Sequence, residues 1–189
     1  MNRNLMRYTL IGLIVLATIW AAVPEITKAL GVKVAWPSLG TISEKPVTQS
    51  ACVDEGVTLV VDFGTGSQRK TKTVCAATFG TQQLDTGWTL FAASRIAVEG
   101  TADYPTGFVC RIDGFPNSQS ERCEQVPGSN AGHWAYFTAT DASGWHYSQI
   151  GSALSHPHCG NWQGWRFVPA GETRILPPRV KPEPFDCNG

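Results

Sequence analysis

Six cysteines, all placed after an apolar N-terminal stretch, constrain this chain of 189 residues more than any other feature. An even number of cysteines in an exported chain is typical of disulfides, because reducing compartments keep thiols free. Six cysteines allow as many as fifteen pairings, and the sequence alone does not choose among them. We adopt nearest-neighbour pairing as a hypothesis: Cys52–Cys75, Cys110–Cys123 and Cys159–Cys187.

The apolar stretch is residues 8–23 (YTLIGLIVLATIWAAV), which carries no charge and follows Arg3 and Arg7. Its length falls between a signal-peptide core of about 7–15 residues and the roughly 20 residues that span a membrane. The residues before Ala21 and Ala22 make a poor cleavage site, which favours an uncleaved anchor over a cleaved signal peptide. The two arginines predict that the N-terminus lies inside and the rest of the chain outside the cytoplasm.

The composition excludes some partners and favours a β-rich fold. The chain has 15 basic and 15 acidic residues, and its lysines and arginines form no cluster, so we expect no nucleic-acid partner. Its 19 glycines and 12 prolines divide it into many short segments, as in all-β or α+β proteins. The sequence predicts four parts: an anchor with its juxtamembrane stretch (1–36), a linker (37–50), a disulfide-stapled extracytoplasmic domain (51–168) and a proline-rich tail (169–189).

Within residues 51–168 the pattern predicts an α+β fold with a sheet of about five strands and one packed helix. The clearest strand is VTLVVDF (57–63), which is apolar and rich in β-branched residues. A single apolar stripe, with Asp85 or Thr86 as its cap, predicts a helix that ends near Arg95. Residues 70–78 are predicted as the return strand of a hairpin, and residues 96–101 and 107–113 as one strand region that is broken near Tyr104-Pro105. Further strands are predicted at residues 133–140, 145–151 and 164–168, and Asp113-Gly114 predicts a tight turn.

Five segments resemble the transcobalamin-like C-terminal domain, a module of vitamin B12 carriers and of many exported bacterial proteins. The segments, in order, are VTLVVDFG (57–64), TGWTLFAASRIAVEGT (86–101), GFVCRIDGFP (107–116), HWAYFTA (133–139) and GWRFV (164–168). Together they cover most of residues 51–168. The exported, disulfide-containing bacterial branch is the most similar, because Cys52, Cys75, Cys110 and Cys123 stand where that branch pairs its cysteines.

The resemblance implies a β-grasp-like sheet with one helix packed across it, and a non-enzymatic role without a cofactor. In vitamin B12 carriers such a module covers a corrinoid that is held against a separate helical domain. These 189 residues do not contain that helical domain. The resemblance implies a corrinoid-like small molecule as the ligand, and any affinity for it would have to come from half of the usual clamp.

Aromatic residues concentrate in the second half of the domain and supply the candidate ligand-binding side chains. Because strand residues alternate between faces, Trp134 and Tyr136 belong to one face of the predicted sheet, and Ala135 and Phe137 to the other. One helix covers only one face. Either the loops and the tail cover the second face, or exposed aromatics form a platform for a ring ligand such as a corrin base or a sugar. The candidates are Trp134, Tyr136, Trp145, Tyr147, Trp162 and Trp165.

Two other groups of residues are of types found in metal sites or in active sites, but neither is accompanied by the further residues that such a site requires. His156, His158 and Cys159 are of types that bind zinc or copper, but no second ligand pair accompanies them, and Cys159 is expected to form a disulfide. His146 and Ser148 share a strand face, but no nucleophile elbow or acidic partner is evident. We therefore predict neither a metal site nor catalysis.

The sequence predicts a non-enzymatic module that is anchored to the membrane through residues 8–23, or secreted if that segment is cleaved. Its expected role is to bind a small soluble ligand that is corrinoid-like. The alternative is a cell-envelope interaction protein that contacts another protein or a glycan through its aromatic face.

Overall fold

The computed structural model describes residues 47–128 and 130–187. The predicted anchor at residues 8–23 and almost all of the predicted linker lie outside these residues. Within the described ranges, no helix combines the length and the hydrophobicity needed to cross a membrane.

The domain consists of a mixed five-stranded sheet, a separate two-stranded sheet and a short helix. The prediction of about five strands with one helix is confirmed. The helix is much shorter than predicted, because only five residues are helical. The elements are β1 (Val57–Asp62), β2 (Lys72–Ala76), α1 (Thr89–Ala93), β3 (Val98–Gly100), β4 (Val109–Ile112), β5 (His133–Ala139), β6 (His146–Tyr147) and β7 (Trp162–Val168).

The five-stranded sheet has the order β2-β1-β7-β5-β6. Strands β1 and β7 are parallel neighbours, with Thr58 opposite Trp162, and the other pairs are antiparallel. Strands β3 and β4 pair only with each other. The first and last strands of the fold therefore lie side by side at its centre.

Strand β1 is the centre of the core, and all six of its residues are buried. Continuous burial of this kind is typical of a strand that is covered on both faces, and it explains why VTLVVD lacks polar alternation. Val57, Leu59 and Val61 face one core, together with Leu90 and Phe91 of α1. We call this side of the sheet the helix face.

The opposite side of the sheet is covered by the C-terminal tail, and we call it the tail face. Val60 and Trp162 form its centre, with Trp145 and Val180 packed against them. The indole nitrogen of Trp145 donates a hydrogen bond to the carbonyl oxygen of Val180 (2.7 Å). Of the two interpretations of the second face, the structure supports the one in which loops and tail cover it.

An ion pair between the buried Asp62 and the half-exposed Arg179 fastens the tail to β1. The side chain of Asp62 is fully buried, and Arg179 reaches it with Nη2 2.6 Å from Oδ1. The backbone amides of Arg179 and Gly64 also donate to this carboxylate (2.9 and 3.0 Å). Burial raises the pKa of Asp62, but the hydrogen bonds from Arg179 and Gly64 outweigh it, so the pKa lies below its usual value.

The hypothesis of nearest-neighbour disulfides is confirmed. One bond joins the segment before β1 to β2, one joins β4 to the loop that follows it, and one joins the loop before β7 to the end of the tail. These bonds are Cys52–Cys75, Cys110–Cys123 and Cys159–Cys187.

The predicted turn at Asp113-Gly114 is also confirmed, because both residues have positive φ (49° and 72°). The Asp113 carboxylate accepts a hydrogen bond from the Ala97 amide and contacts Lys72. Asp113 therefore has a structural role, since it ties the turn to the start of β2.

Candidate functional site

The six candidate aromatic residues do not form one platform. Trp134, Tyr136 and Trp165 lie on the helix face and belong to its core. Trp162 lies on the tail face, where Trp145 packs against it. The sheet itself separates the two groups, because alternate residues of β5 and β7 point to opposite sides.

Tyr147 is the most exposed of the six, with 48 % of its surface accessible. It stands opposite Phe137 in the β5–β6 pair, and its ring contacts that of Phe137 edge-to-face, with the centroids 5.5 Å apart. Tyr147 is therefore half-exposed at the edge of the sheet.

Four of the six candidates nevertheless line one surface cleft of about 200 Å³. We call it the cleft throughout. The buried side chains of Trp134, Tyr136 and Trp165 make its floor, and residues 148–152 with Phe108 make its rim. Its lining residues are Gly107, Phe108, Val109, Trp134, Tyr136, Tyr147, Ser148, Gln149, Ile150, Gly151, Ser152 and Trp165.

The pairing of β5 with β7 positions the floor of the cleft. Tyr136 and Trp165 stand opposite each other in the ladder, and their rings stack with centroids 4.7 Å apart. Trp134 stands opposite Phe167 in the same way, with ring centroids 5.4 Å apart. Aromatic pairs across strands stabilise the sheet and hold each other's rings in place, so the floor is rigid.

The hydroxyl group of Tyr136 is held within the core. It donates a hydrogen bond to the side-chain oxygen of Gln163, which is also buried. Burial raises the pKa of Tyr136 to about 12, although a hydrogen bond with Ser155 lowers it in part. At neutral pH the floor of the cleft is therefore uncharged.

The raised pKa predicts that the domain loses stability in alkali. The unfolded chain releases the Tyr136 proton near pH 10, whereas the folded chain keeps it until about pH 12. Below pH 10 the contribution of Tyr136 to stability is fully present. The free energy of unfolding should therefore fall by about 2–3 kcal/mol as the pH rises from 10 to 12. Urea unfolding across this range measures the effect, and Tyr136→Phe should remove most of it. An identical pH dependence in Tyr136→Phe would contradict the prediction.

Two indole nitrogens at the cleft have no hydrogen-bond partner. Within residues 47–128 and 130–187, the Nε1 atoms of Trp134 and Trp165 are buried and unpaired. An unpaired buried donor costs about 1–3 kcal/mol, so such groups are uncommon in native proteins. The indole nitrogen of Trp162 on the tail face is buried and unpaired in the same way, so the feature is shared by tryptophans on both faces of the sheet.

The sequence did not indicate the rim of the cleft. Phe108 and residues 148–152 reach it from two loops that are distant in the chain. The one available signal is Ile150, an apolar residue within a Ser- and Gly-rich loop, which is exposed at the rim.

Two of the hollows that are larger than the cleft, in the described part of the chain, lie beside disulfide-bonded cysteines and acidic residues. One of about 460 Å³ lies beside Cys123 and is lined by Glu99, Arg122 and Glu124. Another of about 390 Å³ lies beside Cys52 and Asp54. None of the six candidate aromatic residues lines either hollow, so both are weaker candidates than the cleft.

Two of the three candidate metal ligands in residues 156–159, His156 and Cys159, have partners within the protein. Cys159 is bonded to Cys187, so its sulfur is not a thiolate ligand. The ring of His156 contacts the carbonyl oxygen of Asp85 (3.1 Å). The one cluster of metal-ligand types in the described residues is Cys110, Glu121 and Cys123, and its two sulfurs form a disulfide.

The structure does not bring Ser148 and His146 into a catalytic pair. The Ser148 hydroxyl donates to the carbonyl oxygen of Ile150 (2.8 Å). His146 instead contacts the hydroxyl of Ser143 (2.6 Å), which also contacts Asp141. The Asp141 carboxylate therefore contacts the serine hydroxyl and not the imidazole of His146. In a catalytic triad the carboxylate instead accepts a hydrogen bond from the imidazole, on the ring nitrogen that does not face the serine. The three exposed side chains stabilise the turn between β5 and β6.

Comparison with known proteins gives no identification. No family model matches the chain, and neither a curated protein nor a solved structure is significantly similar to it.

Proposed function

We propose that this chain is a non-enzymatic binding module that works outside the cytoplasm and takes part of a small soluble ligand into the cleft. The observation that carries the proposal is the convergence of Trp134, Tyr136, Tyr147 and Trp165 on one surface cleft. Clefts lined by aromatic side chains and a few polar groups are the usual form of small-molecule sites. Three disulfides support a location in an oxidising compartment.

The size of the cleft limits what it takes in. Sites for whole drug-sized ligands measure about 300–1,000 Å³, and the cleft is about 200 Å³. It therefore accepts one ring or one side arm of a larger molecule. A corrinoid would enter only by a projecting group, with most of its surface left outside.

The charge of the cleft limits the ligand further. None of its lining residues is an acid, a lysine, an arginine or a histidine. Burial of a charged ligand group without a partner is costly, so the ligand group is neutral.

The five-stranded sheet with α1 packed on one face supports the β-grasp-like part of the proposal, because a sheet with one helix packed across it is what the transcobalamin-like resemblance implies. The same proposal includes membership of the transcobalamin-like family, a membrane anchor at residues 8–23 and a location outside the cytoplasm.

The test is a ligand screen on the full-length chain with cyanocobalamin and a set of neutral ring compounds, read by isothermal titration calorimetry. We expect saturable binding of at least one compound, and a loss of at least about tenfold in affinity in Ile150→Arg, which places a charge at the rim. Ile175→Arg is the matched control, because Ile175 is similarly exposed but lies in the tail and does not line the cleft. Absence of binding, or equal binding by both variants, would refute the proposal.

A second candidate function, an envelope interaction protein, is favoured by a different surface. Leu84 and Leu154 are 83 % and 72 % exposed and lie on two loops that hydrogen bonds join, among them Gly87 N to Ser155 O (2.9 Å). The aromatic residues first expected to make this contact are mostly buried.

Photo-crosslinking in the host separates this function from the first. A photoreactive residue at Leu84 or Leu154 should yield a discrete adduct that one at Ala142, which is exposed elsewhere, does not yield. The same adducts from all three positions would exclude a specific partner at this surface.

A further inference from the structure

The three disulfides differ in how far solvent reaches them. Four of the six cysteines are buried, with 4–6 % of each residue exposed: Cys52, Cys75, Cys110 and Cys123. Cys159 and Cys187 are both partly exposed. In thiol–disulfide exchange an incoming thiolate has to reach a sulfur atom, so the rate depends on access. The Cys159–Cys187 bond is therefore the disulfide that a reagent in solution reaches first.

The sulfur of Cys159 has a hydrogen-bond donor in place. The backbone amide of Gly56 donates to Cys159 Sγ over 3.1 Å. In the described part of the chain, no other cysteine sulfur accepts a hydrogen bond from an amide. Hydrogen bonds to an ionised acceptor are stronger than those to a neutral one, so this bond strengthens when the sulfur becomes a thiolate. Cys159 is therefore the better leaving group of the pair.

The position of this amide does not depend on the disulfide. Gly56 has positive φ (85°), and its carbonyl oxygen accepts a hydrogen bond from the Gly160 amide (2.7 Å). On the same loop, the amide of Cys159 donates to the carbonyl oxygen of Gly80 (3.2 Å). These backbone bonds keep Cys159 beside Gly56 when the bond to Cys187 is opened.

The end of the tail has few attachments besides the disulfide. Residues 183–187 follow Pro182, which is buried. Among the described residues, these five make one hydrogen bond, from the Phe185 amide to the carbonyl oxygen of Gly160, and it is long (3.3 Å). Earlier in the tail, the ion pair of Arg179 is an independent attachment to the sheet. Opening of the disulfide therefore frees residues 183–187 and leaves the tail face covered.

We propose that the Cys159–Cys187 disulfide is a thiol-exchange site, which a reduced dithiol opens while the rest of the domain stays folded. A thiolate of the dithiol bonds to Cys187 Sγ, the bond between the two cysteines breaks, and its electron pair leaves on Cys159 as a thiolate. The Gly56 amide stabilises that thiolate. The second thiolate of the reagent then attacks its own sulfur in the mixed disulfide and releases Cys187. The reagent is thereby oxidised to a disulfide, and its two protons end on the two cysteine thiols.

The first test treats the folded full-length chain with dithiothreitol for graded times and caps the freed thiols with iodoacetamide. Peptide mass spectrometry identifies the capped cysteines. We expect Cys159 and Cys187 to be capped at least about tenfold faster than the four buried cysteines, which are the internal controls. Equal rates for all six cysteines, or earlier capping of another pair, would overturn the proposal.

A brief reaction with glutathione, which has a single thiol, tests the roles of the two sulfurs. Because glutathione cannot complete the second step by itself, the mixed disulfide accumulates and the sulfur that left stays free. After capping with iodoacetamide, we expect glutathione on Cys187 and the cap on Cys159. The reverse distribution would show that Cys159 is the sulfur attacked, and would overturn the assignment of Cys159 as the leaving group.

The double variant Cys159→Ser/Cys187→Ser represents the opened state and tests whether the release is confined to the end of the tail. In a chain labelled with ¹⁵N, the Phe185 amide signal should take the position of an unstructured peptide. The indole signal of Trp145 should stay in place, because its bond to Val180 precedes the freed residues. A shifted Trp145 signal would contradict the confined release. If the double variant does not fold, the same two signals are measured in the unsubstituted chain after treatment with dithiothreitol.

Discussion

Arg179→Ala is expected to lower the free energy of unfolding by about 2–3 kcal/mol, which makes it one of the two most destabilising changes that we predict. The substitution leaves the carboxylate of Asp62 fully buried without its charged partner. Removal of one member of a buried pair costs about 3–5 kcal/mol. We expect less here, because the side chain of Arg179 is 48 % exposed and the pair is partly screened by solvent. Urea unfolding at pH 7 measures the change.

One control variant and one pH dependence test this prediction further. Arg174→Ala removes an exposed arginine from the same tail and should change stability by less than about 0.5 kcal/mol. Arg179→Ala should also flatten the loss of stability below about pH 4. The pKa of Asp62 is depressed in the folded chain, so its contribution is present above the unfolded pKa and disappears as the pH falls. Equal stability of the two alanine variants would show that the ion pair does not hold the tail.

Gly164→Val is expected to destabilise the domain by about 3 kcal/mol or more, and to lower its melting temperature by roughly 6–12 °C. A Cβ atom at Gly164 would lie 2.8 Å from the ring of Trp145 and 2.8 Å from Cγ of Pro178. Neither group yields easily, because Trp145 is hydrogen-bonded to Val180 and Pro178 is buried. The larger valine side chain therefore forces the tail away from the tail face.

The measurement is thermal unfolding by circular dichroism, combined with the indole signal of Trp145 in the NMR spectrum. That signal should shift as the bond to Val180 is lost. Gly66→Ala is the matched control, because a Cβ atom at Gly66 meets nothing within 4 Å and the melting temperature should stay within a degree or two. A Gly164→Val variant as stable as the Gly66→Ala variant would contradict the close packing described here.

The features predicted correctly from the sequence are those with a local cause. Alternation along β5 separates Trp134 and Tyr136 from Ala135 and Phe137, and the two cores separate them in the same way. Positive φ at Asp113 and Gly114 follows from the residue types. The length of α1 was overestimated, since an apolar stripe does not define where a helix ends. Only Leu90 and Phe91 of that helix are buried.

The features that could not be predicted depend on contacts between distant segments. The role of Arg179 depends on Asp62, which lies 117 residues earlier in the chain. For the same reason the sequence did not choose between an exposed aromatic platform and aromatics covered by loops and tail, whereas in the structure the tail and α1 cover most of them. The rim of the cleft joins Phe108 to residues 148–152 across two loops without regular secondary structure. No periodic pattern in either loop indicates that they meet.

The parallel pairing of β1 with β7 has a consequence for how the protein is made. Thr58 pairs with Cys75 of β2 on one side, but its partner on the other side is Trp162, so the centre of the sheet stays incomplete until more than a hundred further residues have been synthesised. Long-range pairing of this kind slows folding. The last covalent closure comes later still, because the Cys159–Cys187 disulfide forms only after Cys187 has been synthesised.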